Sequence, residues 1–360
     1  MSEVFTPVDH KKIITTILQD WDSLGLPPID KKSLEFKLLP FRKTGQHSLV
    51  NYMVISQKQP VAVIKVPRFK EGTLAFSAIN NEARMLDLLV RKMLFTGHFP
   101  QMFKAPEIDK IPVLLTKAFA GTMLHQLLDN EEDPSQLDRL ISSGGDLLIL
   151  FYNPKEDQRR TIDGTFLQKW IKDPLREIGE YYPQEAEQIE QFVNDFLKDR
   201  VFHNLKYPVV PMHQEFNPWN ILKDENGNLL VFDWEDASED GLPLLDLYNY
   251  FTICHRILIA GETKLTQARS RENKQRRVDL LLGKYSEYSV RYCQALNISA
   301  ELLDLFYVVF AINSINFFAG EKRREIEYGK SWLPLLLNTS ARDCFKNYIK
   351  KTSESYLARR

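Results

Sequence analysis

The hydrophobic period changes along this chain, and where it changes limits the architecture more than any other feature. Between residues 33 and 67 the runs LEFKLLPF, LVNYMVIS and VAVIKVP are short, β-branched or aromatic, and separated by polar or Gly/Pro turns. That pattern predicts three antiparallel strands. On either side the spacing is helical: Ile13, Ile14, Ile17, Leu18 and Trp21 before the strands, stopped by GLPP, and Ile79, Met85, Leu86, Leu88 and Leu89 after them. IPVLLTKAFAG supplies one more strand-like run, ended by Gly121. From there to about residue 207 the pattern is helical, with DNEEDPSQ and YNPKEDQRR read as loops between helices. Helical spacing returns after Pro243. The expectation is an α+β chain: a small antiparallel-sheet lobe with its helices over residues 1–120, and a larger, mainly helical lobe over 121–360.

The helical part is interrupted once, by YPVVPMHQEFNPWNILKDENGNLLVFDWEDA at residues 207–237. DENGN is an Asn-Gly turn signal that folds Ile221-Leu222 back against residues 229–232 as a hairpin. Two polar clusters, one around Glu215 and Asn220 and one starting at Asp233, then fall at matching ends of neighbouring strands.

Size and charge narrow the function classes. A chain of 360 residues has room for one large or two ordinary domains, and a formal charge of −1 gives no whole-protein field to recruit nucleic acid or anionic lipid. Three scattered cysteines, with no CxxC and no paired histidines, argue for reduced thiols rather than a disulfide framework or a zinc site. No signal-peptide layout and no bilayer-length apolar run is present, so a cytoplasmic protein without a membrane partner is expected. Nothing in the pattern bears on oligomeric state.

Phosphoryl transfer from ATP needs a cation for the phosphates, hard oxygen ligands for Mg²⁺ and a group that positions the attacking hydroxyl. Lys65 ends the strand VAVIK, Glu82 lies on the helix after it, Glu215 and Asn220 share the loop HQEFNPWN, and Asp233 ends the hairpin. This order resembles the aminoglycoside phosphotransferase and choline kinase-like family, whose catalytic loop reads roughly HxDxxxxN, followed by a hairpin and an acidic DxD or DWE element. The likeness runs from about residue 36 to 250, and His213, Asn220, FDWEDA and Asp246 in GLPLLDL carry most of it.

The resemblance implies a two-lobe protein-kinase-like fold and an ATP- and Mg²⁺-dependent enzyme that phosphorylates a hydroxyl of a small molecule: a sugar, an aminoglycoside-like amine or an amino alcohol. It gives Lys65 the α/β-phosphates, Glu82 the task of orienting that lysine, and Asn220 and Asp233 the Mg²⁺, with Glu235 or Asp236 as a further carboxylate. The backbone from Lys117 to Phe119 becomes the hinge facing the adenine edge, and the backbone near Gly45–Ser48 caps the β/γ-phosphates. Glu215 takes the catalytic position at the acceptor, where the family has aspartate. One extra methylene moves the carboxylate by roughly 1.5 Å, and about 1 Å of misplacement can cost on the order of 100-fold in rate. The alternative is therefore a kinase-fold protein that binds nucleotide or a metabolite as a regulator or scaffold. Glu239, Asp240, Tyr328 and Trp332 are candidates for lining an acceptor pocket, and the basic run at 267–277 reads as a solvated helix start or loop, with an anionic partner as the lesser alternative.

Overall fold

The computed structural model describes residues 6–30, 33–39, 48–70, 73–92, 97–151, 158–198, 202, 204–260, 270–321 and 344–358. The chain divides into two compact units that interleave along the sequence: Met1–Leu124 with Trp219–Ser238, and His125–Pro218 with Glu239–Arg360. The first is sheet-rich and the second mostly helical.

In the first unit, strands β1 (Leu34–Leu38), β2 (Leu49–Ser56), β3 (Gln59–Pro67), β4 (Met102–Lys104) and β5 (Leu114–Lys117) form an antiparallel sheet in the order β1-β2-β3-β5-β4. The three strands expected at 33–67 are β1, β2 and β3. A tight turn with positive φ at both Gln57 and Lys58 joins β2 to β3, the backbone sense that matches strand twist.

Alternation along β3 separates two jobs. Ala62, Ile64 and Val66 point to one face and enter the core, where helix α1 (His10–Gln19) lays Ile13 and Ile17 against the sheet. Trp21, fully buried just beyond α1, donates its Nε1–H to the Pro27 carbonyl at 2.8 Å. Burying an indole of this kind contributes about 4–6 kcal/mol of transfer free energy. His10 adds a polar tether, with Nε2 3.1 Å from the Pro67 carbonyl and Nδ1 2.8 Å from the Tyr52 hydroxyl. Lys65, being odd in the alternation, lies on the opposite face. Helix α2 (Thr73–Arg91) follows β3, with Ile79, Met85, Leu86 and Leu89 on its buried side.

The first unit is completed from far along the sequence. Strand β6 (Thr122–Met123) pairs with β7 (Ile221–Lys223), which pairs with β8 (Leu229–Val231), Ile221 facing Val231 and Leu222 facing Leu230. The β7–β8 turn is built as its sequence demands. Asp224 Oδ1 accepts the backbone N–H of Asn226 at 2.9 Å and of Asn228 at 2.7 Å, and Gly227 supplies the positive φ of +87°. Gly121 admits the hairpin, because a Cβ there would collide with the Leu222 side chain and the Lys223 backbone.

The second unit packs helices α3 (Leu124–Asn130), α4 (Pro134–Phe151), α5 (Asp173–Tyr181), α6 (Pro183–Lys198), α7 (Leu245–His255), α8 (Arg271–Leu296), α9 (Leu302–Glu321) and α10 (Cys344–Ala358). Gly144 and Gly145 let α4 approach closely, with Tyr250 of α7 and Tyr288 of α8 standing where a Cβ would be. Each phenol then donates to α4, Tyr250 to the Ile141 carbonyl at 2.9 Å and Tyr288 to the Ser142 carbonyl at 2.8 Å. Tyr285, Tyr307 and Phe345 gather around Tyr248, and burial pushes the Tyr248 phenol well above its ordinary pKa.

One expected loop differs. The end of YNPKEDQRR forms a strand, Arg159–Thr161, paired antiparallel with Lys206–Pro208. A three-residue strand this polar carries no period-two apolar signal, so only its distant partner reveals it. Arg277, from the basic run, is buried and bonds the Glu131 carbonyl. No helix among the described residues is long and apolar enough to cross a membrane.

Candidate functional site

Four charged side chains of the first unit converge on the sheet face opposite α1. The Lys65 ammonium donates to Glu82 of α2 at 2.5 Å, to Asp233 just past β8 at 2.7 Å and to Glu235 at 3.4 Å. Lys65, Glu82 and Glu235 are buried, whereas the Asp233 side chain is 28 % exposed. One ammonium cannot neutralise three carboxylates, and the proton equilibria record that imbalance. Burial, the largest single influence on Lys65, opposes its charge, but Asp233, Glu82 and Glu235 together raise its pKa well above the ordinary lysine value. For Glu82, burial outweighs the pull of Lys65 and lifts the carboxyl from 4.5 to about 7.

Local structure explains how the carboxylates are presented. Asp233 sits at φ +69°, a left-handed backbone that turns the chain sharply after β8. Trp234, fully buried, donates its Nε1–H to the Val231 carbonyl at 2.9 Å, and the Ala237 N–H reaches the Trp234 carbonyl at 3.2 Å. The Phe232 N–H donates to the Asn220 carbonyl at 3.1 Å, so Asn220, just before β7, is held beside the end of β8. His98 grips the same strand twice: its carbonyl accepts from Val231 N–H at 2.7 Å and its Nδ1 lies 2.8 Å from the Leu229 carbonyl.

The carboxylates fit a divalent cation. Carboxylate oxygens of Glu82, Asp233 and Glu235 lie within 4.8 Å of one another, a hard oxygen donor set of the kind that suits Mg²⁺. Asn51, directly opposite Lys65 in the β2–β3 register, keeps a buried side-chain oxygen with no hydrogen-bond partner among the described residues. An unpaired amide oxygen accepts, so it suits a cation or a hydrogen-bond donor rather than a phosphate oxygen.

The other expected residues take separate places. Lys117 ends β5, with its ammonium 5.7 Å from the centroid of the Phe119 ring and its backbone N–H bonded to the Gln101 carbonyl at 2.8 Å. Ser48 is buried, and its carbonyl accepts from Arg68 N–H at 2.9 Å. Gly45, Tyr328 and Trp332 lie outside the described residues. At the second acidic position, the Glu235 carboxylate lies 3.4 Å from the Lys65 ammonium.

In the second unit, the loop bearing Glu215 is fixed from α7. Asp246, buried in the first turn of that helix, accepts the His213 backbone N–H at 2.7 Å, while the His213 ring stands edge-on to Phe216 at 6.3 Å. Gln214 has φ +69°, its carbonyl accepting from Asn249 Nδ2 at 3.3 Å. Asn217 Nδ2 closes the loop onto the Glu215 carbonyl at 2.9 Å. Asp240 pairs with Arg160 at 2.8 Å on the surface.

Sequence reasoning missed Asn81 and His98. Asn81 left a signal in NNEARM, two asparagines inside a helical run, where that residue type is a poor helix former. His98 left none.

Residues 42–278 match the model of a family described as the phosphotransferase enzyme family. Among curated proteins none matches this chain. Solved structures do: a provisionally named aminoglycoside phosphotransferase from Ralstonia eutropha JMP134 superposes with a TM-score of 0.61 at 13% identity, over 94% of this chain and 98% of that one. ADP-bound aminoglycoside phosphotransferase APH(2'')-Ib gives 0.50 at 17% identity, covering 94% and 99%. The GDP and kanamycin complex of APH(2'')-IIia gives 0.50 at 14%, covering 90% and 97%. At these identities the likeness is one of fold, the two-lobe protein-kinase-like fold expected from the sequence.

Proposed function

Because this chain belongs to the phosphotransferase enzyme family, we propose that it transfers the terminal phosphoryl group of ATP to a hydroxyl of a small molecule, with Mg²⁺ as cofactor. The observation that carries the reading is the Lys65 ammonium joined to Glu82 and Asp233 at 2.5 and 2.7 Å, beside a three-carboxylate oxygen set. Lys65 holds the phosphates while Glu82 keeps the ammonium in place. Asn220 and Asp233, with Glu235 alongside, would hold the Mg²⁺, which would supply neutralisation of phosphate charge. The backbone at Lys117–Phe119 meets the adenine edge, and the backbone at Gly45–Ser48 caps the terminal phosphates.

In the reaction the acceptor oxygen forms a bond to the γ-phosphorus as the bond to the β-phosphate oxygen breaks, and the hydroxyl proton passes to Glu215. ADP leaves. Catalysis of this kind is chiefly positioning and charge neutralisation. The acceptor class is a sugar, an aminoglycoside-like amine or an amino alcohol.

One residue favours a second reading. Glu215 stands where the catalytic loop calls for aspartate, and a carboxylate displaced by a methylene suits a protein that binds nucleotide without efficient transfer. Thermal shift with ATP and Mg²⁺, then acceptor-dependent ADP release across a panel of hydroxyl compounds, separates the two. Nucleotide binding with turnover supports the enzyme. Binding without turnover, unimproved in Glu215→Asp, leaves the regulator, and absence of binding removes both.

A further inference from the structure

Asn81 precedes Glu82 on α2 and spends its side-chain amide on the segment that carries the carboxylates. Nδ2 donates to the backbone carbonyls of Glu235 and Ala237, each at 2.9 Å, and Oδ1 accepts from Arg84 at 2.9 Å. Asparagine in a helix interior costs up to about 0.7 kcal/mol relative to alanine, so the helix gains nothing from it locally. What it holds is a strained piece of chain. Asp233 has a left-handed backbone, which costs a non-glycine residue on the order of 1 kcal/mol and persists only where the surroundings over-determine it. Two neighbouring residues of one helix therefore register both halves of the cluster, Glu82 through the Lys65 ammonium and Asn81 through the 235–237 backbone.

We propose that Asn81 is a positioning residue for the carboxylates of Asp233 and Glu235: its amide clamp fixes where they stand relative to Lys65 and Glu82, and so sets the divalent-cation affinity of a site it does not itself line. The inference rests on the reading of Asn220 and Asp233, with Glu235 alongside, as the Mg²⁺ site of a phosphotransferase. Groups that orient metal ligands from behind typically cost 10–100-fold in metal affinity when removed.

The test uses the full chain and two readouts besides turnover. ADP affinity is measured by calorimetry with and without Mg²⁺, and backbone hydrogen exchange over residues 229–240 is measured in the ligand-free protein. Asn81→Ala is expected to leave Mg²⁺-free ADP affinity within about twofold, to cut the Mg²⁺-dependent gain in ADP affinity by about tenfold or more, and to speed exchange at 233–238. Asn81→Gln, which keeps an amide donor, is expected to recover part of both. If Asn81→Ala does not fold, Asn81→Ser, with one donor, takes its place under the same expectations. A wild-type Mg²⁺ gain that survives intact in Asn81→Ala, or unchanged exchange at 233–238, overturns the inference alone. A wild-type protein that binds no ADP under either condition overturns the phosphotransferase reading, and the inference with it.

Discussion

Replacing Lys65 by methionine removes the ammonium that meets Glu82, Asp233 and Glu235 while keeping an unbranched apolar stem of similar length. The Glu82 and Glu235 side chains are only 4% and 5% exposed, so the loss falls on carboxylates with little access to water. Stripping the partner from a buried ion pair costs about 3–5 kcal/mol. Glu82 limits its own share, because its pKa is already about 7 in place of 4.5. Its raised pKa means that its proton is retained below pH 7 and lost above it. At pH 6 it is therefore largely protonated before the lysine is removed, and little is lost there. At pH 8 it is ionised in the wild type, and without Lys65 it takes up a proton at a cost of about 1.4 kcal/mol for the pH unit between 7 and 8. Asp233, 28% exposed, sheds part of its penalty into solvent. The expected destabilisation is about 3 kcal/mol at pH 8 and about 2 kcal/mol or less at pH 6. Urea unfolding followed by tryptophan fluorescence at the two pH values measures it, and millimolar MgCl₂ without nucleotide should return stability to Lys65→Met more than to wild type. Equal stability of the two proteins at pH 8, or a loss that does not change with pH, would refute the argument.

Glu215→Gln should lower acceptor-dependent ADP release on the order of 100-fold or more while ATP affinity by thermal shift stays within about twofold, since only proton acceptance and hydroxyl placement are touched. Gly144→Ala should destabilise by about 2–3 kcal/mol in chemical unfolding although alanine is the better helix former, because its methyl meets the Tyr250 ring; a stabilised variant would show that α4 has room to move. His255, buried and 3.0 Å from the Ser353 hydroxyl, has its pKa lowered by burial from 6.5 to about 3. A depressed folded pKa means stability that is present above pH 6.5 and lost as pH falls toward 3, about 1.4 kcal/mol by pH 5.5. His255→Asn should remove that part of the acid sensitivity in melting curves at pH 7.5 and 5.5.

Readability from sequence followed the reach of each interaction. β1, β2 and β3 were visible because their runs are short, β-branched or aromatic and bounded by polar or Gly/Pro turns, and the β7–β8 hairpin because Asp224 to Asn228 encode the turn locally. Lys65, Glu82 and Asp233 stood out through their places at a strand end, on a helix and at a hairpin end, and the structure brings these three together. What stayed hidden depends on partners remote in sequence. Arg159–Thr161 becomes a strand only because residues 206–208 lie beside it, and Asn81 matters only because the 235–237 carbonyls, more than 150 positions away, come to its amide. That α1 covers the sheet face opposite Lys65 was likewise beyond periodicity, which shows that a helix has an apolar side but not what meets it.

The interleaving of the two units sets a timetable for synthesis. A ribosome has to add roughly a hundred residues after Leu124 before Trp219–Ser238 emerges to finish the first unit. At about 5–20 residues per second that is on the order of 5–20 s. Throughout that interval Lys65 and Glu82 exist without Asp233, and β6 without β7. The nascent sheet then offers an unpaired edge and an incomplete charge cluster, the kind of surface that chaperones engage. Translation speed between residues 124 and 238 is therefore a variable in the yield of this protein, and pausing in that stretch should lower it.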